Sequence, residues 1–189
     1  MDRTELNKIV KEEQEWYLYY IYSKTFPFRR LWSWYKKDVI WCIAKWQKYS
    51  RYADFYSQLA KAKNSPFYRL MQYVYIRKRN KLALKLCFEV ETVNVQKGLK
   101  ILHHGAVING KSKIGENLRL LGNNVVGNGG PNKLGCPTIG NNVTMGAGSM
   151  VVGDVFIADD IIIAAGAVVV SSFTEKGITI GGVPAKKLN

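Results

Sequence analysis

The two histidines of the chain are adjacent, His103 and His104, in the stretch "GLKILHHGAVINGKSKIG" (98–115). Imidazole titrates near neutrality, so such a residue can take a proton from a hydroxyl, hold a metal or simply fill a turn. A zinc centre of the three-histidine kind needs one more imidazole than the chain owns. A base histidine generally needs an acceptor to orient it. Upstream stand Glu89, 14 residues before His103, and Glu91, 12 before it. Around the pair, apolar residues recur every sixth position: Leu102, Ile108, Ile114, Leu120 and Val126.

The six-residue period continues. From residue 139 the chain reads "IGNNVT MGAGSM VVGDVF IADDII IAAGAV V", with Ile139, Met145, Val151, Ile157, Ile163 and Val169 leading the hexads. The fifth places hold small or β-branched residues, and Gly, Ala or Val fills the second. Self-similarity at a fixed period marks a solenoid. Each hexad predicts one short strand and a turn, three hexads one triangular coil, and the whole about four coils. The insertion "GNGGPNKLGCPT" (127–138) breaks the frame once and is rich in turn formers, which predicts a projecting loop.

The first 85 residues obey different physics. They carry 19 Lys/Arg against 7 Asp/Glu, a net of +12 of the chain's +14, with all 5 Trp and all 11 Tyr; all 17 Gly lie after residue 97. Absence of glycine predicts helix. "RTELNKIVKEEQEWYLYYIYSK" reads as a first helix with Thr4 at its N-cap, and Phe28 to about Ser50 as a second, broken off at Pro27. A later helix starts at Ser65-Pro66. This division predicts an α+β chain: a helical, basic, aromatic region at 1–85, a connector at 86–97, a repeat domain at 98–183 and a tail at 184–189. The basic helices read either as a packed domain with solvated cationic faces or as a peripheral contact with an anionic membrane surface, with Trp32, Trp34, Trp41 and Trp46 at headgroup level. No nucleic-acid readout module accompanies the charge. Three widely spaced cysteines, no CxxC pair and no secretory signal point to a reducing, cytoplasmic setting, extending on the second reading to the inner face of the membrane.

The segments "YIRKRNKLALKL", "GLKILHHGAVINGKSKIG", "CPTIGNNVTMGAG" and the closing "GGVPAKKL" resemble the hexapeptide-repeat acyltransferases, in particular the serine acetyltransferase branch and its shorter members found with polysaccharide genes. The resemblance spans about residues 66–189. It implies a left-handed parallel β-helix, a hand that runs against the usual crossover preference, together with homotrimeric assembly and acetyl-CoA as co-substrate without a metal. It places the catalytic base on His103, with His104 beside it as the alternative, and the orienting acid on Glu89. Coenzyme A would lie along small residues, here Gly127, Gly146, Ala147 and Ala165, with Lys186 and Lys187 near its phosphates. Serine-specific members carry an acid just before the histidine and an Arg-His pair ahead of the later repeats. This chain has Leu102 and Gly135-Cys136 there, which points to a neutral acceptor such as a sugar hydroxyl of a surface polysaccharide, with Leu102 and Cys136 lining its pocket. Serine O-acetylation and a non-catalytic β-helix scaffold stay open as alternatives.

Overall fold

The computed structural model describes residues 2–21, 28–36, 38–132 and 134–188, and the chain divides into two compact units, 1–86 and 87–189.

The first unit is helical. Helix α1 (Arg3–Ile21) is capped by Asp2, whose carboxylate accepts the N–H groups of Thr4 and Glu5 at 2.7 and 2.8 Å. The cap is therefore Asp2 rather than Thr4: its carboxylate reaches two of the orphan donors of the first turn. The expected second helix is two helices, α2 (Arg29–Lys36) and α3 (Val39–Lys63). Asp38 restarts the backbone between them, in extended conformation and accepting the Trp41 N–H at 2.9 Å. Helix α4 (Pro66–Leu86) begins at the expected proline, and the break expected at Pro27 lies outside the described residues. Leu6 and Val10 of α1 pack with Phe55 and Tyr56 of α3, and Tyr68, Met71 and Tyr75 of α4 close over that cluster. The tyrosines stack, Tyr75 lying 5.0 Å from Tyr52 and 5.5 Å from Tyr56 between ring centres. Trp46 is fully buried, so it belongs to this core and not to a headgroup layer; the side chain of Trp34 lies outside the described residues.

The second unit is a parallel β-helix of five turns. The first runs through β1 (Phe88–Val90), a bridge at Val95 and β2 (Lys100–Ile101); the second through β3 (Ala106–Ile108), β4 (Lys113–Ile114) and β5 (Arg119–Leu120). The third uses β6 (Asn124–Gly127), β7 (Thr138–Ile139) and β8 (Thr144–Met145), and the fourth β9 (Met150–Val152), β10 (Phe156–Ile157) and β11 (Ile162–Ile163). The fifth has β12 (Val168–Val169), a bridge at Phe173 and β13 (Thr179–Gly182), which β14 (Ala185–Lys187) joins antiparallel. Each sheet stacks equivalent strands of successive turns: β1-β3-β6-β9-β12 along one side, β4-β7-β10 along the second, and β2-β5-β8-β11-β13 with β14 along the third. The inward residues form columns such as Ile101, Leu120, Met145, Ile163 and Ile180, all fully buried. Burying each such side chain contributes about 1.5–3 kcal/mol, and this is why the hexad pattern is so strict. At the corner leading out of the second sheet, Asn117, Asn142 and Asp160 take left-handed backbone, and their side chains bond in series at 3.1 and 2.9 Å.

Three expectations change. Residues 86–97 are not a connector: β1 pairs with β3, Glu89 beside Val107, so this stretch supplies the first turn and the helix has five turns rather than about four. Its missing glycines hid it, because the turn is made by Thr92 and Asn94 instead. The tail at 184–189 includes β14, which covers the last strand of the third sheet. The insertion after Gly127 lengthens the third turn without disturbing its register, since Val125 and Val126 of β6 pair with Met150 and Val151 of β9.

Candidate active site

Both histidines sit on the corner between the third sheet and the first. In the other turns six residues separate the inward residues across this corner: Leu120 to Val126, Met145 to Val151, Ile163 to Val169. In the first, seven separate Ile101 from Ile108. Ile101, not Leu102, pairs with Leu120 and belongs to the inward column. The histidine corner thus carries one extra residue, and the equal six-residue steps counted back from Val126 slip by one at Leu102. Leu102 is also buried and donates its N–H to the Leu120 carbonyl at 3.0 Å, so it walls the corner from inside and offers no exposed surface to an acceptor.

The bulge presents both imidazoles to solvent. Alternation along a strand does not separate them, because they lie on a turn and not in a strand. Their backbone is held from the next turn, where Asn123 N–H donates to the His104 carbonyl at 3.0 Å and Asn124 N–H to the Gly105 carbonyl at 3.0 Å. His103 packs against Gly122: a Cβ at 122 would stand 2.8 Å from the His103 Cβ. Gly122 also has φ +117°, a backbone that side chains rarely tolerate. Its N–H donates to Oδ1 of Asn124 at 2.9 Å.

Asn124 is the residue that motif reading missed. It is fully buried, and its amide donates to the Gly146 carbonyl at 2.7 Å and to Ser149 Oγ at 3.1 Å; Ser149 Oγ donates in turn to the Gly146 carbonyl at 2.7 Å. A satisfied buried network of this kind rigidifies what it touches, here the backbone directly above the histidines. The signal was legible: Asn124 and Ser149 occupy fifth hexad places, where the other inward residues are Val143, Val155, Ile161 and Ala167. Ser112 holds a fifth hexad place at a different corner, between Ile108 and Ile114, and keeps its buried hydroxyl without a partner among the described residues.

Above the histidines this corner is lined with small residues. Gly146 is so close to Ala165 that a Cβ would meet the Ala165 nitrogen at 2.4 Å, and a Cβ at Gly181 would lie 3.0 Å from that of Ala164. Ala147 and Ala165 are exposed, and their N–H groups have no acceptor among the described residues. Lys186 stands beside Gly181 across the β13–β14 pair, exposed, at the upper end of the column. Lys187 pairs with Ile180 in that ladder, and its ammonium is engaged by Glu175 at 2.7 and 2.8 Å. Gly127 lies elsewhere, at the far end of β6 beside Asn109. The structure thus groups Gly146, Ala147 and Ala165 with the histidines and leaves Gly127 out.

Glu89 projects outward from β1, exposed, and among the described residues neither its carboxylate nor either imidazole has a hydrogen-bond or ion-pair partner. Cys136 is half-buried in the insertion, its thiol donating to the Leu134 carbonyl at 3.7 Å. Gly135 lies on Asp154, where a Cβ would come within 2.5 Å of the Asp154 Cβ, so no longer side chain fits at 135 in this conformation. No group of three or more metal-ligating side chains occurs among the described residues.

No family model matches the chain, and no curated protein matches it. Solved structures do. A serine acetyltransferase from Brucella abortus strain S19 superposes with TM-score 0.72 at 17% identity, over 99% of this chain and 70% of that one. That from Neisseria gonorrhoeae gives 0.65 at 23%, over 100% and 68%. The soybean apoenzyme gives 0.68 at 17%, over 97% and 69%. At these identities the likeness establishes the fold: a helical N-terminal region followed by a left-handed parallel β-helix of hexapeptide repeats.

Proposed function

We propose that the protein is an acetyl-CoA-dependent O-acetyltransferase with His103 as general base. One observation carries this reading: an exposed histidine on a bulged corner stands at the foot of a column of small residues, of which Ala147 and Ala165 are exposed and have N–H groups without an acceptor among the described residues. Unspent amides on a side-chain-free edge suit the amide carbonyls of a pantetheine arm, and Lys186 at the far end suits its phosphates. The residues therefore fit the co-substrate. A neighbouring fold, a serine acetyltransferase at 16% identity and TM-score 0.66, was solved in complex with CoA. His103 takes the proton of the acceptor hydroxyl as its oxygen attacks the thioester carbonyl, and returns it to the departing sulfur when the tetrahedral intermediate collapses. Such a base typically supplies ~10²–10⁴-fold. The contact with Gly122, whose missing side chain leaves room beside it, favours His103 over His104. Glu89 is the candidate orienting acid and requires the imidazole to turn toward β1.

For the acceptor we propose a neutral hydroxyl, such as that of a sugar in a surface polysaccharide or its precursor. The support is the lack of charge at Leu102 and Gly135-Cys136, with Leu102 buried and 135 closed to any larger side chain. L-serine is the second reading, favoured by neighbours that are serine acetyltransferases, one from soybean complexed with serine. Coupled release of free thiol from acetyl-CoA, measured with L-serine and with a panel of monosaccharides and oligosaccharides, tests both. Serine turnover at about 10⁴ M⁻¹s⁻¹ or above overturns the sugar reading; no turnover of any hydroxyl, with no CoA binding, leaves the scaffold reading.

The exposed Met150, Phe156 and Ile162 on the outer faces of the β-helix are consistent with a homotrimer, which light scattering after gel filtration tests. No described helix is long and apolar enough to cross a membrane. For the basic first unit we propose a peripheral contact with anionic bilayers. Co-sedimentation with such vesicles at low salt and release at ~0.5 M salt is expected, and protein left in the supernatant at low salt overturns it.

A further inference from the structure

A cleft of about 430 Å³ lies between α1 and α3 in the helical unit, well separated in chain order from the histidine corner. Val10, Leu18, Ile40 and Ala44 make its apolar wall, and Lys11, Lys45 and Lys48 stand at it against one carboxylate, Glu15. None of the three lysines has a carboxylate partner among the described residues. Lys45 and Lys48 are one helical turn apart on the same face of α3 and both half-buried, and the Lys45 ammonium sits 5.5 Å from the centre of the Trp41 ring.

The cleft is preformed. Beside the apolar cluster of Leu6, Val10, Phe55 and Tyr56, polar bridges join the two helices: Gln14 to the Ala44 carbonyl at 2.6 Å, Tyr17 to Gln47 at 2.9 Å, Tyr52 to Asn7 at 2.7 Å, and the buried ion pair of Arg51 with Glu13 at 2.7 Å. Each helix is held while the space between them stays unfilled. Arg51 engages the Glu13 carboxylate, so that anion is not offered to the lysines of the cleft. Burial, and next the charge of Lys48, hold the Lys45 ammonium below the usual lysine range. Two half-desolvated cations on one helical face are unfavourable unless an anion joins them.

We propose that this cleft binds a small anionic amphiphile, a phosphate head held by Lys45 and Lys48 with an apolar body lying along Val10, Leu18, Ile40 and Ala44. Its volume suits one small molecule and not a polymer. The same chemistry reaches the cleft from a dissolved phosphate monoester or from an anionic lipid of a bilayer. It is independent of the acetyl-transfer reading, since no residue of the histidine corner takes part.

The test is calorimetric titration of the full chain with octyl phosphate below its micelle concentration, beside inorganic phosphate, octyl glucoside and phosphatidylglycerol vesicles. Octyl phosphate is expected to bind with a Kd of about 0.1 mM or tighter, and inorganic phosphate and octyl glucoside at least ~10-fold more weakly. Lys45→Met/Lys48→Met is expected to weaken octyl phosphate at least ~10-fold, and Lys45→Arg/Lys48→Arg to retain it. Equal affinity for octyl glucoside, an unchanged Kd in the folded Met variant, or binding only to vesicles overturns the proposal, the last in favour of surface adhesion. Should the Met variant fail to fold, the comparison of octyl phosphate with octyl glucoside on the parent protein still decides.

Discussion

Gly122→Ala places one methyl group against the histidine corner, where there is too little room for it. The new Cβ falls 2.8 Å from the His103 Cβ, whereas carbon atoms rest at about 3.5–4.0 Å. Roughly 1 Å must therefore be found, and the residue cannot give way: its N–H is held by Asn124, its carbonyl by Gly148 N–H at 2.8 Å, and its φ of +117° is already one alanine resists. Strain of this kind costs about 1–3 kcal/mol. The histidine corner, exposed and with no partner for either imidazole among the described residues, is the softer side and takes the displacement. A base misplaced by about 1 Å can lose ~10²-fold in rate. Turnover at saturating acetyl-CoA, read by thiol release, is expected to fall at least ~10-fold, while denaturant unfolding shows the protein still folded. Gly177→Ala is the control: φ is +72° but nothing lies within 4 Å of a Cβ there, so it should lose a similar amount of stability and keep its rate. Parent-like turnover in folded Gly122→Ala would refute the placement of the base against this glycine.

His103→Ala should lower acetyl transfer at least ~10²-fold with folding intact, while His104→Ala retains most of it; the reverse pattern in the same assay moves the base by one residue. Asn124→Ala leaves the Gly122 N–H buried and unpaired and should cost about 1–3 kcal/mol in denaturant unfolding, with turnover falling as the corner loosens. Asp159 accepts from Lys176 at 2.6 Å and from the Asn141 N–H at 2.9 Å, and these hold its carboxyl below the usual aspartate range, the lysine bond being the larger cause. A depressed carboxyl stabilises the fold above its unfolded pKa, and that contribution disappears as pH falls through the lower folded value. Asp159→Asn should therefore melt below the parent at pH 7, and the gap should narrow as pH falls below about 4; a gap that does not narrow on acidification would contradict the assignment.

The repeat domain was legible because its physics is periodic. Every inward column demands the same residue type at each step, so Ile139 through Val169 could be placed without any long-range information. What escaped was aperiodic. The first turn has β1 but no glycine before Gly98, and its inward step from Val90 to Val95 is one residue short, so its start read as a connector. The extra residue at the histidine corner is invisible to a count that assumes equal steps, hence the slip from Ile101 to Leu102. In the helical unit, glycine-free sequence announced helix but not its ends, which hang on single side chains: Asp2 and Asp38. The lysine cleft could not be read at all, since it depends on how α1 and α3 are spaced.

The extra residue at the histidine corner has an evolutionary side. In a stack whose turns touch only their neighbours, a length change at one corner is absorbed locally and does not propagate. The 25-residue step from Val125 to Met150 shows the same tolerance on a larger scale. One codon removed at position 103 or 104 would give this corner the length of the three above it and leave the columns intact. On the proposed function, a single in-frame deletion or insertion here would remove or restore one histidine of the pair without shifting the inward columns.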